Sequence, residues 1–93
     1  MELVYISGPI TGNENYQRQF AEADLLLRSK GFDVFNPAAL NHADWTYNDY
    51  MKYDIRCLLD CDRIYMLKGW ETSKGSRLEK RIADDLGIKE LIL

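Results

Sequence analysis

The sequence predicts an α/β fold, a small doubly wound sandwich of flavodoxin-like or Rossmann-like type with about four parallel strands and helices on both faces. Three observations predict it. Short runs rich in β-branched, aromatic and aliphatic residues recur at 3–7, 32–37, 62–67 and 89–93. Segments with apolar residues three and four apart, the spacing of one helix face, lie between them. Glycine, proline or asparagine stands at most of the joints, and strands alternating in this way with helices form a parallel sheet covered on both sides.

"LVYIS" at 3–7 reads as a buried strand stopped by Gly8 and Pro9. Residues 14–30 have a helical period, with Tyr16, Phe20, Ala23, Leu26 and Leu27 on one side, and Gly31 stands where a C-terminal cap belongs. "FDVFNP" at 32–37 is a short strand closed by Asn36 and Pro37. Residues 38–47 show no period and read as a loop carrying Trp45 and Tyr47. The helical pattern returns from Asn48 to Leu59 through Met51, Ile55, Leu58 and Leu59. "DRIYML" at 62–67 is the third strand, and "GWETSKGSRLEKRIADDLG" at 69–87 is a turn and helix capped by Gly87. "KELIL" at 89–93 is the terminal strand. The first and third strands are expected at the centre.

The 93 residues make one domain, 1–93. A chain of this size hides roughly 60–65% of its unfolded surface, a modest core. A formal net charge of −3 gives no electrostatic reason for a nucleic acid or an anionic membrane as partner. No apolar run approaches the ~20 residues of a membrane span. The start "MELVYISG" lacks the character of a signal peptide, so a cytoplasmic protein is expected. Cys57 and Cys61 are four apart in a helical segment, which suits reduced thiols rather than a redox motif or zinc site. The sequence contains neither G-x-x-x-x-G-K-[ST] nor G-x-G-x-x-G.

Two carboxylates break the apolar pattern. Glu79 is in line with Ile82, Ala83 and Leu86, in the expected first turn of the last helix, where the dipole favours an anion. Asp54 falls among Met51, Ile55 and Leu58, where burial and a nearby anion raise a carboxyl's pKa. Ligands of such folds bind beyond the carboxyl ends of the strands, here segments 7–13, 36–47 and 68–77. Two carboxyl groups pushed apart in pKa suit a nucleophile and a proton carrier, the pair that retaining glycosyl transfer uses. Taken singly, each also reads as a helix-end dipole partner or a backbone hydrogen-bond acceptor.

"YISGPITG", "NP" after the second strand, "YD" with a further Asp eight residues on, and "S-x-G-x-x-x-E" together resemble the nucleoside 2-deoxyribosyltransferase superfamily. The likeness is closest to short deoxyribosyltransferase-like proteins of phages and prophages, and more distant to deoxynucleoside 5′-monophosphate N-glycosidases. It covers residues 3 to about 87. The resemblance implies that Glu79 attacks C1′ of the sugar and displaces the base, and that Asp54 contacts the ligand and helps proton transfer. It places Tyr5, Gly8 and Pro9 beside the substrate. Ser73 falls where the monophosphate hydrolases bind phosphate, and Ser73 with Gly75 at a helix N-terminus suits an anion physically as well. Pro9, Ile10 and Thr11 occupy positions where those hydrolases have a serine and basic residues. Lys74 and Arg77 are either substitutes for them or solvated charges.

Trp45, Tyr47, Tyr50, Tyr53 and Trp70 gather near the expected crevice. Trp45 and Trp70 read equally as faces that stack a nucleobase, worth ~1–3 kcal/mol per base, or as part of a subunit interface. Tyr50 and Tyr53 also suit a subunit interface, and His42 reads as incidental. The expectation is an enzyme that cleaves or exchanges the N-glycosidic bond of a deoxynucleoside or its 5′-monophosphate, needing no metal or cofactor. A small nucleoside or nucleotide is the partner, and a homo-oligomer is expected. The alternative is a nucleotide-binding module without turnover on the same fold.

Overall fold

The computed structural model describes residues 1–93 and bears out the α/β fold. Four strands, β1 (Leu3–Ser7), β2 (Asp33–Phe35), β3 (Arg63–Met66) and β4 (Lys89–Glu90), alternate with three helices. These are α1 (Tyr16–Ser29), α2 (Tyr47–Leu59) and α3 (Lys74–Leu86). The sheet is wholly parallel in the order β2-β1-β3-β4, with β1 and β3 central as expected.

Alternation along β1 divides the core in two. Val4 and Ile6 point to one face and pack with Phe20, Ala23 and Leu27 of α1. Tyr5 points to the other, with Leu58 of α2, Ile64 of β3 and Ala83 of α3. The chain steps from β1 to β2 in one direction, then crosses back over β1 to β3. Right-handed crossovers require the helices of two opposite steps to lie on opposite faces, so α1 covers one side and α2 and α3 the other. The switch in direction lies between β1 and β3.

Local chemistry sets the boundaries. β2 ends at Phe35 rather than at 37, because Pro37 lacks the N–H that a ladder uses. Pro37–Ala39 instead forms one turn of 3-10 helix, entered through the Asn36 side chain, which accepts from the Ala38 N–H. The expected loop 38–47 is shorter than read. α2 already starts at Tyr47, capped by Thr46, whose hydroxyl accepts from Asp49 N–H while the Asp49 carboxylate accepts from Thr46 N–H. β4 has two residues instead of five; Leu91 still docks through its N–H on the Ile64 carbonyl, but Ile92 is 79% exposed.

Three leucines assigned to core faces are exposed: Leu26, Leu59 and Leu86. The buried positions of α1 are Phe20, Ala23 and Leu27, a stripe too narrow to include Leu26 on its flank. Leu59 and Leu86 are each the last residue of their helix, outside its buried positions. Cys57 and Cys61 are free thiols, half-buried and buried. Burial pushes Cys61 up to about 12, which keeps it protonated. No helix is long and apolar enough to cross a membrane.

Candidate functional site

A cavity of about 410 Å³ opens at the carboxyl ends of the strands, at the switch between β1 and β3. β1 and its turn contribute Ile6 and Gly8. Tyr16 and Phe20 come from α1, and Tyr47, Tyr50, Met51 and Asp54 from α2. The mouth of α3 supplies Ser73, Gly75, Ser76 and Glu79. Two glycines let these walls close. A Cβ on Gly8 would stand 2.8 Å from the Leu67 Cβ, and one on Gly75 would stand 3.0 Å from the Met51 sulfur.

Glu79 is 5% exposed and lies at the floor. It does not occupy the first turn of α3, as the sequence suggested. The helix begins at Lys74, which places Glu79 in the second turn, beyond the short reach of the dipole. The charge is met from β1 instead. Tyr5 and Ser7 are two apart, so both point to the α3 face. The Tyr5 hydroxyl donates to Glu79 Oε2 at 2.6 Å and the Ser7 hydroxyl donates to Oε1 at 2.6 Å. Burial raises the carboxyl's pKa above its ordinary value, a rise that the hydrogen bonds from Ser7 and Tyr5 oppose without cancelling. The Tyr5 phenol is held well above its ordinary range by burial, then by the Glu79 charge, so it remains a donor at neutral pH.

Asp54 is buried on the facing helix, as its place in the apolar pattern implied. Its Oδ1 is buried with no hydrogen-bond partner. Burial, then the Glu79 charge, pushes its pKa to about 7. Glu79 and Asp54 therefore face one cavity in unlike surroundings: one carboxyl group held by two hydroxyls, and one that exchanges a proton near neutrality and has an oxygen without a hydrogen-bond partner.

Ser73 caps α3, its hydroxyl accepting from the Ser76 N–H at 3.2 Å, and Gly75 follows it in the wall. The mouth above is aromatic. Trp45 stacks on His42 at 3.8 Å between ring centroids and meets the edge of Tyr50 at 5.1 Å. The Tyr50 hydroxyl donates to the His42 carbonyl and accepts from its N–H, both at 2.9 Å. His42 is thus part of the support of Trp45. Tyr53 lies outside the lining, between Trp45 and Phe35.

Three residues expected at the ligand stand elsewhere. Tyr5 has no exposed surface and lies beneath Glu79, so it touches the carboxylate and not the cavity. Pro9 turns away from the cavity toward Gly69. Trp70 sits in the 3-10 turn Trp70–Thr72 outside the lining, because that turn is bent off the strand end by Gly69 in the left-handed region, φ +89°. Ser7 and Ser76 are the residues that sequence reasoning missed. The signal for Ser7 was available, a hydroxyl two residues after Tyr5 on the same strand face.

The lining contains no Lys, Arg or His. The Lys74 ammonium lies 5.4 Å from the Tyr47 ring centroid, and Arg77 donates to the Glu71 carbonyl. No group of three or more His, Cys, Asp or Glu side chains is placed to hold a metal ion.

Set beside known proteins, residues 2–92 match the family described as a domain of unknown function, DUF4406. No curated protein matches the chain.

Proposed function

From a chain that belongs to the DUF4406 family, a description that names no activity, we propose an enzyme that cleaves or exchanges the N-glycosidic bond of a deoxynucleoside through Glu79. The observation that carries this reading is the pair of unlike carboxyl groups on one cavity. The resemblance of the sequence to nucleoside 2-deoxyribosyltransferases points the same way.

In this mechanism Glu79 attacks C1′ of the sugar. The C1′–N bond breaks, its electron pair leaves with the base, and a glycosyl ester forms on the carboxylate. Asp54, protonated in a good fraction of molecules at neutral pH, gives its proton to the departing base. The resulting carboxylate then takes a proton from the acceptor, a water or a second base's N–H, as the acceptor attacks C1′ and releases Glu79. Tyr5 and Ser7 hold both oxygens of Glu79, fixing its direction before the sugar arrives. Trp45, Tyr47 and Tyr50 offer aromatic surface for the base.

The lining favours the nucleoside over its 5′-monophosphate. A phosphate would add negative charge beside two carboxyl groups with no cation in the wall to balance it. Ser73, the proposed phosphate contact, already accepts from a backbone N–H, though its own hydroxyl hydrogen is free to donate.

The experiment is base release, followed by chromatography, from each deoxynucleoside and each monophosphate. Glu79→Gln is expected to lower release by roughly 10³-fold or more, the scale of losing a nucleophile. Release that persists in Glu79→Gln refutes the glycosyl-ester mechanism. Saturable nucleoside binding with no release by the native protein favours the module without turnover. Self-association belongs to the same proposal, with Leu25, Leu26, Leu78 and Leu86 as exposed apolar surface. A sedimentation mass equal to one chain would remove it.

A further inference from the structure

We propose that Ser76 and Ser7 form a directed hydroxyl chain that positions Glu79 and holds it as an anion, making both serines positioning residues of the site. The direction follows from proton counting. A serine hydroxyl has one hydrogen. The Ser7 hydrogen is committed to Glu79 Oε1 at 2.6 Å, so it does not also serve the Ser76 oxygen 3.1 Å away. The hydrogen between the serines comes from Ser76. The order is therefore Ser76 to Ser7 to Glu79.

Nothing in the chain is loose. Ser7 and Ser76 are 1% and 2% exposed, and the Ser76 backbone N–H is tied to Ser73. Donation by Ser76 polarises the Ser7 hydroxyl, which then donates more strongly to the carboxylate. Ser76 also lines the cavity, where its oxygen keeps a lone pair for a ligand. If Glu79 takes a proton, one of its two donors must reverse, and reversal at Ser7 turns the Ser76 hydrogen toward the cavity. The chain thus couples the charge of Glu79 to what Ser76 presents at the site.

Two titratable groups face this carboxylate from the elements packed against it, the Tyr5 phenol of β1 and the Asp54 carboxyl of α2; Cys57 of α2 bears on Tyr5 and not on Glu79 itself. The proposal that the chain serves a nucleophile rests on the glycosidic reading, while the chain itself does not.

The experiment is a carbon-detected NMR titration of the Glu79 carboxyl without substrate, in an Asp54→Asn background that removes the overlapping group. Ser7→Ala is expected to raise the titration midpoint by about one to two pH units, the worth of one hydrogen bond to a charged group. Ser76→Ala is expected to raise it less, and to add nothing once Ser7 is alanine. Ser7→Thr, which keeps the hydroxyl, restores the native midpoint. Where Ser7→Ala does not fold, Ser7→Cys, a weaker donor, replaces it and must also raise the midpoint. An unmoved midpoint in Ser7→Ala, or a Ser76→Ala effect that is the same with and without Ser7, overturns the chain. These outcomes are separate from base release. Release that does not depend on Glu79 counts against the glycosidic reading alone, and additive serine effects in a protein that releases base count against the chain alone.

Discussion

Asp54 is where the chain holds a charge at the expense of its own stability. In the unfolded chain the carboxyl titrates near 3.8, and in the folded protein at about 7. Between those values the folded state binds more protons than the unfolded state. Stability therefore falls as pH rises through that window and stays reduced above it. Asp54→Asn removes the titration. The variant should melt higher than the native protein at pH 8, by roughly 4–8 °C if the relief is ~1 kcal/mol, with the gap narrowing toward pH 4. Thermal scans at the two pH values check this, and a gap that widened on acidification would mean that Asp54 is stabilised as an anion. The same group predicts a pH limb. Under the proposed mechanism base release should decline as pH rises through about 7, where Asp54 loses the proton that this mechanism passes to the base. In Asp54→Asn that limb should be absent from the residual rate.

At the scale of elements, two glycines test how closely the cavity walls are set. Gly8→Ala would place a methyl 2.8 Å from the Leu67 Cβ, an atom fixed to the backbone of the neighbouring strand end. The strand ends must part, and a loss of about 1–3 kcal/mol in denaturant unfolding is expected. At Gly75 the nearest atom is the Met51 sulfur, on a side chain that can swing aside. Alanine also favours the helix, so Gly75→Ala should leave stability within about 1 kcal/mol. Met51 would swing into the cavity it lines, and nucleoside affinity should fall. A variant that lost stability at Gly75 and kept its affinity would show that the α2–α3 approach does not shape the site. The start of α2 is a third element-scale case. Thr46→Ala removes the hydroxyl arm of the capping box, leaves the Asp49 carboxylate on the backbone N–H of residue 46, and should cost ~1 kcal/mol. That change also loosens the short link from Trp45 into the helix.

At the scale of the whole molecule, charge decides what enters. The protein carries a net charge of −3, and its cavity wall has two carboxyl groups and no cation. Titration calorimetry on the non-releasing Glu79→Gln protein should give tighter binding for a deoxynucleoside than for its 5′-monophosphate, by about tenfold or more; each factor of ten is ~1.4 kcal/mol. Equal or tighter binding of the monophosphate would put the phosphate on the α3 N-terminus, as Ser73 and Gly75 suggested from sequence. Strand order makes this arrangement possible. Because the chain reverses direction beside β1, the turn after β1, the mouth of α2 and the start of α3 converge on one opening.

Much of this was legible in the chain. Period and punctuation determined the alternation of strands and helices, since both are local: side-chain spacing follows from backbone geometry, and Pro37, Gly31 and Gly87 act within a residue or two. Glu79 and Asp54 stood out because a carboxylate inside an apolar stripe is visible without a structure. What holds Glu79 was decided only by folding. The donors on β1 lie more than seventy residues from Glu79 along the chain, and no pattern on α3 reveals which hydroxyls the neighbouring strand brings. The same is true of Trp45 and Trp70, equal candidates by sequence. One became part of the cavity mouth through His42 and Tyr50, and the other was turned outside by a left-handed glycine. Composition and spacing set which groups are available, and tertiary structure alone sets which of them meet, because burial and distance govern both the energy of a charge and the reach of a hydrogen bond.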